Sequence, residues 1–238
     1  VHQLRVATRR CVAALDLYRK VFPKSPRKAL CRELKGIRQA AGRARDYDVL
    51  ILRHSTESAD ASAQRFLEEV RQKRGEAQQP LRDIHASLVA NQHLTQLPQA
   101  LYAHVHTDPT AATAPIFGRW ARRRLRKSVK AFFAAEPRAL NDLESLHKFR
   151  IRAKELRYAM ELLVAAFPAS LHTRLYPLVE RLQDRLGEIN DHAVALKRFR
   201  SWSTETTDPV LRKYLQYLTR RERKKLRRSV WRFACWWT

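Results

Sequence analysis

Two histidines, each followed at helical spacing by cations, are the residues of this chain best placed to do chemistry. His2, Arg5 and Arg9 form one series, and His147, Arg150, Lys154 and Arg157 form another. At 100° per residue the first series falls within about 60° of arc and the second within about 80°, with Tyr158 at its border. Each is a column of donors roughly 10–15 Å long. Arginine offers a planar fork that fits phosphate oxygens, and lysine a compact point charge. The chemistry is that of holding a row of anions. The plainer reading is a solvated helix face. Like charges at i, i+4 repel mildly, so a stripe present twice needs an anion or carboxylates opposite it. Either histidine alone reads as a satisfied core residue. In register with arginine in both series, each also reads as a ligand.

The two series belong to an internal repeat. Residues His2 to Arg53 recur 145 positions later without a gap, with twelve identities in 52 columns. Ordinary composition gives about three or four. Phe22-Pro23 maps to Phe167-Pro168, Gly42 to Gly187 and Asp46 to Asp191. A duplicated unit that keeps polar residues at helical spacing points to two half-sites, with the stripes facing one another across a pseudo-twofold. In the first copy Lys35, Arg38 and Arg45 add cations, with Gly42 on the same helix face. A glycine inside a helix costs about 1 kcal/mol against alanine, which makes sense where a backbone or ligand approaches closely. The second copy has Glu180, Gln183, Gly187 and Asn190 at these places, so this cationic face is not duplicated. Asp46 and Asp191 read best as carboxylates that hold a neighbouring cation in place.

The elements that must position these residues are helical. Only five glycines occur in 238 residues, no segment alternates with period two, and 45% of the residues are hydrophobic. Helix-ending signals predict helices from Val1 to about Val21, Pro26 to His54, Ser58 to Asn91 with a kink at Pro80, and a short one after His93. They continue from Pro115 to about Ala135, from a cap at Asn141 or Asp142 to Phe167, from Ser170 to about Trp202, and from Asp208-Pro209 onward. Leu81, Ile84 and Leu88, and Leu175, Leu178, Leu182 and Leu186, have the spacing of core-facing stripes. The expected fold is all-α: two antiparallel helical bundles of four-helix type, residues 1–114 and 115–238. The helix from Pro115 has no counterpart before Val1. The first bundle is therefore expected to lack its leading helix, to expose Leu4, Val12, Leu15 and Leu34, and to belong to a longer chain or a covered surface.

The formal net charge is +25, from 48 Lys plus Arg against 23 Asp plus Glu. A folded domain so charged repels itself and suits a polyanionic partner. Two further basic stretches, Arg119 to Lys130 and Arg220 to Phe233, read equally as solvated faces or as extra binding surface. The aromatics Trp231, Phe233, Trp236 and Trp237 are expected to be core anchors. Three cysteines at no metal spacing fit a reducing compartment. No apolar run approaches the roughly 20 residues of a membrane span.

The motifs HQLRVATRR with GRARDYDV, and LHKFRIRAKELRYAMELL with LQDRLGEINDHAVAL, resemble the CHAD domain family. The resemblance covers nearly the whole chain. It implies two four-helix bundles around a basic central surface that binds inorganic polyphosphate, often at polyphosphate granules; the expected location of the chain is the cytoplasm. The site it implies comprises His2, Arg5, Arg9 and Arg10, then Arg45 and Asp46, then His147, Arg150, Lys154, Arg157 and Tyr158, then Asp191. Some members are fused to a triphosphate tunnel domain bearing E-x-E-x-K. That motif is absent here, and no catalysis is carried over.

The competing class is a nucleic-acid-binding protein. Charge permits it, but there is no zinc finger, RNP motif or basic-zipper pattern, and aromatics do not interleave with the stripes. A phosphoryl-transfer enzyme would need clustered carboxylates for Mg²⁺ or a phosphate-cradling loop. A metal site built on His93, His104 and His106 lacks a matched partner set. No cofactor and no metal are expected.

Overall fold

In a computed structural model, residues 1–55, 60–107 and 117–237 are described, with the side chains of residues 93 and 105–107 excepted. All regular structure among them is helical: α1 (His2–Leu17), α2 (Lys24–His54), α3 (Ala61–Glu76), α4 (Gln79–Asn91), α5 (His93–Thr107), α6 (Phe117–Phe133), α7 (Leu143–Leu162), α8 (Tyr176–Glu205) and α9 (Pro209–Trp237). The chain divides into two compact units, Val1–Ala114 and Pro115–Thr238.

In the first unit α2 is the spine. At 31 residues and 1.5 Å per residue it is about 46 Å long, and α1, α3, α4 and α5 all pack against it. One side of α1 and α2 carries Val12, Leu15, Leu30, Cys31 and Leu34, which form a core with Leu101 of α5 and the half-buried Phe22 and Leu97. This corrects the expectation of an open face. Val12, Leu15 and Leu34 are buried, and Leu4 alone of the four is exposed. The cover is α5, whose Leu97 and Leu101 stand four apart on one face. Pro98 lies inside α5 without ending it.

Further boundaries differ from those the sequence predicts, among them the end of α7, which stops at Leu162 rather than Phe167. α1 ends at Leu17, before the proline signal at Phe22-Pro23. The helix expected from Ser58, a residue outside those described, to Asn91 is two helices from Ala61 onward, because Pro80 sits in the first turn of α4, where its missing N–H costs nothing, rather than kinking a continuous helix. α4 contributes no buried residue, so its stripe of Leu81, Ile84 and Leu88 only grazes the core. The helix expected from Ser170 opens as a π-turn, Leu171–Leu175, before α8.

In the second unit α6 packs on α7, α7 on α8, and α8 along α9. Asp142 caps α7, its carboxylate accepting from the Glu144 amide at 3.0 Å. Asp208 does the same for α9 by accepting from Val210 at 2.9 Å. The core side of α8 begins at Leu182 and continues through Leu186, Ile189 and Phe199, while Leu175 and Leu178 are exposed. Phe132, Phe149, Phe233 and Trp237 form an aromatic cluster. Phe149 stacks on Phe132 at 4.7 Å and meets Trp237 edge-on at 5.2 Å. Phe149 is fully buried, and truncating such a ring to alanine costs about 3–5 kcal/mol.

Candidate functional site

The first unit gathers four arginines and one aspartate. α1 brings Arg5 and Arg9 to the face of α2 that carries Arg38, Arg45 and Asp46. Arg5 crosses between the helices, its Nη1 donating to the Arg38 carbonyl oxygen at 2.7 Å. The guanidinium passes over Gly42, where a Cβ would lie 3.4 Å from Nη1. The close approach the glycine permits is therefore that of a side chain. Burial, the positive field of Arg9 and those of Arg38 and Arg45 lower the pKa of Arg5, while Asp46 opposes them. Asp46 thus lies close enough to Arg5 for its charge to act on the guanidinium. His2 and Arg10 are exposed on α1, and Lys35 is exposed on α2.

The second unit replaces much of this charge by hydrogen bonds. His147 Nδ1 is 2.8 Å from Asn190 Oδ1. A carbonyl oxygen only accepts, so Nδ1 carries a proton, and Nε2 is the nitrogen that faces a ligand, donating to an anion when the ring is an imidazolium. Gln183, buried, donates to the Ala153 carbonyl oxygen at 2.7 Å, so an amide of α8 reaches α7 where, in the first unit, an arginine of α1 reaches α2. Nothing lies within 4 Å of a Cβ on Gly187. Arg150 and Lys154 are half-buried, and Asp191 is exposed.

Arg157 and Tyr158 stand apart from the rest of the stripe. Arg157 sits between Glu161 at 3.5 Å and Glu180 at 3.9 Å. Its guanidinium lies 5.5 Å from the centre of the Tyr158 ring, which is buried. Tyr176 completes the group by donating to Glu161 at 2.7 Å. The Tyr176 hydroxyl is raised well above the ordinary tyrosine value, first by burial and then by that bond. Two carboxylates already compensate this arginine. Glu161 and Tyr176 are not among the residues the sequence singles out; the available signal is Glu161 at i+4 from Arg157.

Both basic stretches are surface. On α6, Arg119, Arg122, Arg123, Arg126, Lys127 and Lys130 are exposed within about 140° of arc, and the helix contains no acidic residue. On α9, Arg220, Arg223, Lys224, Arg227 and Arg228 are exposed. Phe233 is a core anchor as expected, but Trp231 is 67% exposed. Among the described residues no group of three His, Cys, Asp or Glu could hold a metal ion. The side chains of His93 and His106 lie outside the described residues. No described helix is long and apolar enough to cross a membrane.

A family model described as CHAD domain matches residues 1–200. Among solved structures, the crystal structure of the CHAD domain from the plant Ricinus communis is similar, at 18% identity and a TM-score of 0.72, over 96% of this chain and 80% of that one. PptA from Streptomyces chartreusis is similar at 16% identity and a TM-score of 0.64, over 98% of this chain and 87% of that one. At these identities the likeness is one of fold. No curated protein matches.

Proposed function

Because this chain belongs to the CHAD domain family, we propose that it is a non-catalytic binder of inorganic polyphosphate, held in the cytoplasm and recruited to polyphosphate granules. The family is linked to polyphosphate. The observation that carries the reading is the cluster around Arg5. Of the four charged groups that act on it, three are arginines and one is a carboxylate. Such a cluster stores repulsion that a polyanion relieves. Arg9, Arg10, Lys35, Arg38 and Arg45 then take phosphates along the first copy, and His147, Arg150 and Lys154 along the second. Arg5 combines anion contact with holding α1 on α2. Arg157 and Tyr158 stiffen the second stripe, and Asp46 and Asp191 orient cations. Polyphosphate is flexible, carries about one charge per phosphate and has no bases to read, so released counterions supply much of the affinity.

Nucleic acid is the second reading, favoured by net charge alone. It lacks stacking platforms on the stripes, where Tyr158 is buried. Competition separates the two. Long-chain polyphosphate is expected to displace DNA or RNA at far lower phosphate concentration than the reverse. Displacement at equal phosphate concentration, or in favour of nucleic acid, would reverse the assignment.

A further inference from the structure

A groove between α8 and α9 lies outside the cationic stripes. It holds about 520 Å³ and is lined by Glu188 and His192 of α8 and by Lys225, Arg228, Trp231 and Arg232 of α9. Its floor is a buried hydrogen-bonded pair: His192 Nδ1 meets Glu222 Oε2 at 2.5 Å, and the two residues are 7% and 3% exposed. The carboxylate accepts, so Nδ1 is the protonated nitrogen. The other ring nitrogen, Nε2, is 3.8 Å from Glu188 Oε1 at the groove wall. A buried carboxylate is costly to keep. Here it fixes one edge of the imidazole and leaves the opposite edge to the groove.

The walls combine cations with an exposed ring. Arg232 is tied to Glu188 at 2.7 Å, and Lys225 lies 3.5 Å from Glu222. Arg228 is exposed, and Trp231 keeps two-thirds of its surface in solvent. On α9 these four residues fall within about 120° of arc, so ring and cations are presented together. Arg43 and Tyr47 occupy the places of Glu188 and His192 in the first copy, so the groove is not part of what is duplicated. Asn190, which holds His147, lies about 160° around α8 from His192. Groove and stripe are on opposite sides of that helix.

We propose that this groove binds a nucleotide. The base stacks on Trp231, the phosphates sit on Arg228 and Lys225, and Nε2 of His192 and Glu188 accept from amino or hydroxyl groups of the ligand. The volume lies in the range of small-molecule sites. Stacking on an indole tolerates any base, so little preference among bases is expected.

The test is calorimetric titration of ADP into this chain at physiological salt. Saturable binding is expected. Trp231→Ala and Arg228→Ala, both exposed and harmless to folding, each weaken it by about tenfold or more. Arg227→Ala removes a neighbouring cation that does not line the groove and changes affinity by less than about twofold. Pyrophosphate, which has no ring, binds more weakly than ADP and is indifferent to Trp231→Ala. Absence of saturable binding overturns the proposal. So does equal weakening by Arg227→Ala, which would mean net charge alone, and so does pyrophosphate binding as tightly as ADP.

Discussion

The guanidinium of Arg5 rests on Gly42. Nη1 donates to the Arg38 carbonyl at 2.7 Å and lies 3.4 Å from where a Cβ on residue 42 would be. The arginine crosses from α1 to α2 over bare backbone. One residue thus joins the packing of two helices to the charge cluster of the candidate site.

The two repeated glycines should therefore respond differently to alanine. At Gly187 a Cβ meets nothing within 4 Å, so Gly187→Ala should stabilise the protein by up to about 1 kcal/mol through helix propensity alone. At Gly42 the same gain is offset by the crowding of Arg5, and polyphosphate affinity should fall as the guanidinium shifts. Denaturant unfolding of both variants checks the first point, and a binding titration the second. A larger gain at Gly42 than at Gly187 would contradict the packing described.

The three thiols should divide by reactivity. Cys11 and Cys235 are exposed and Cys31 is buried. Burial and Asp16 raise the Cys31 thiol, while Arg27 and Lys35 oppose this more weakly. The thiolate is the nucleophile. A thiol reagent at neutral pH should titrate two groups quickly and the third only as the first unit opens. Three groups reacting at one fast rate would place Cys31 outside the core.

Alkaline stability should depend on Tyr176. Its hydroxyl is raised above the ordinary value of 10.0 by burial and by the bond to Glu161. With the folded value above the unfolded one, the contribution is complete below pH 10. It is lost as pH rises, because the unfolded chain releases that proton first. Between about pH 10 and pH 12 the wild type should lose more stability than Tyr176→Phe. Parallel losses in both proteins would mean that Tyr176 ionises freely when folded.

Helix identity is legible in the sequence because caps and prolines act locally. Asp142 accepts from the Glu144 amide, and Pro209 opens α9 where the sequence places it. The role of α5 is not legible. Its Leu97 and Leu101 have core spacing, but Pro98 between them reads as a helix breaker. Whether a helix packs back onto α1 and α2 is decided by tertiary burial. In the same way, helical spacing places the cations on common faces but does not say which of them are already engaged. Arg5 spends a donor on a backbone carbonyl, and Arg157 sits between two carboxylates. Those partners come from other helices or from the next turn. Trp231 reads as a core anchor beside Phe233, yet only Phe233 is buried. Which face of α9 meets α8 is fixed by packing along both helices.

The most direct test is the salt dependence of polyphosphate affinity in wild type and in Arg9→Ala combined with Lys154→Ala. These residues hold the same place in the two copies. The double variant should stay folded and bind polyphosphate at least about tenfold more weakly. Its log–log salt slope should flatten by roughly 0.7 for each phosphate that is no longer neutralised. A folded double variant with unchanged affinity and unchanged slope would contradict binding along the repeated stripes.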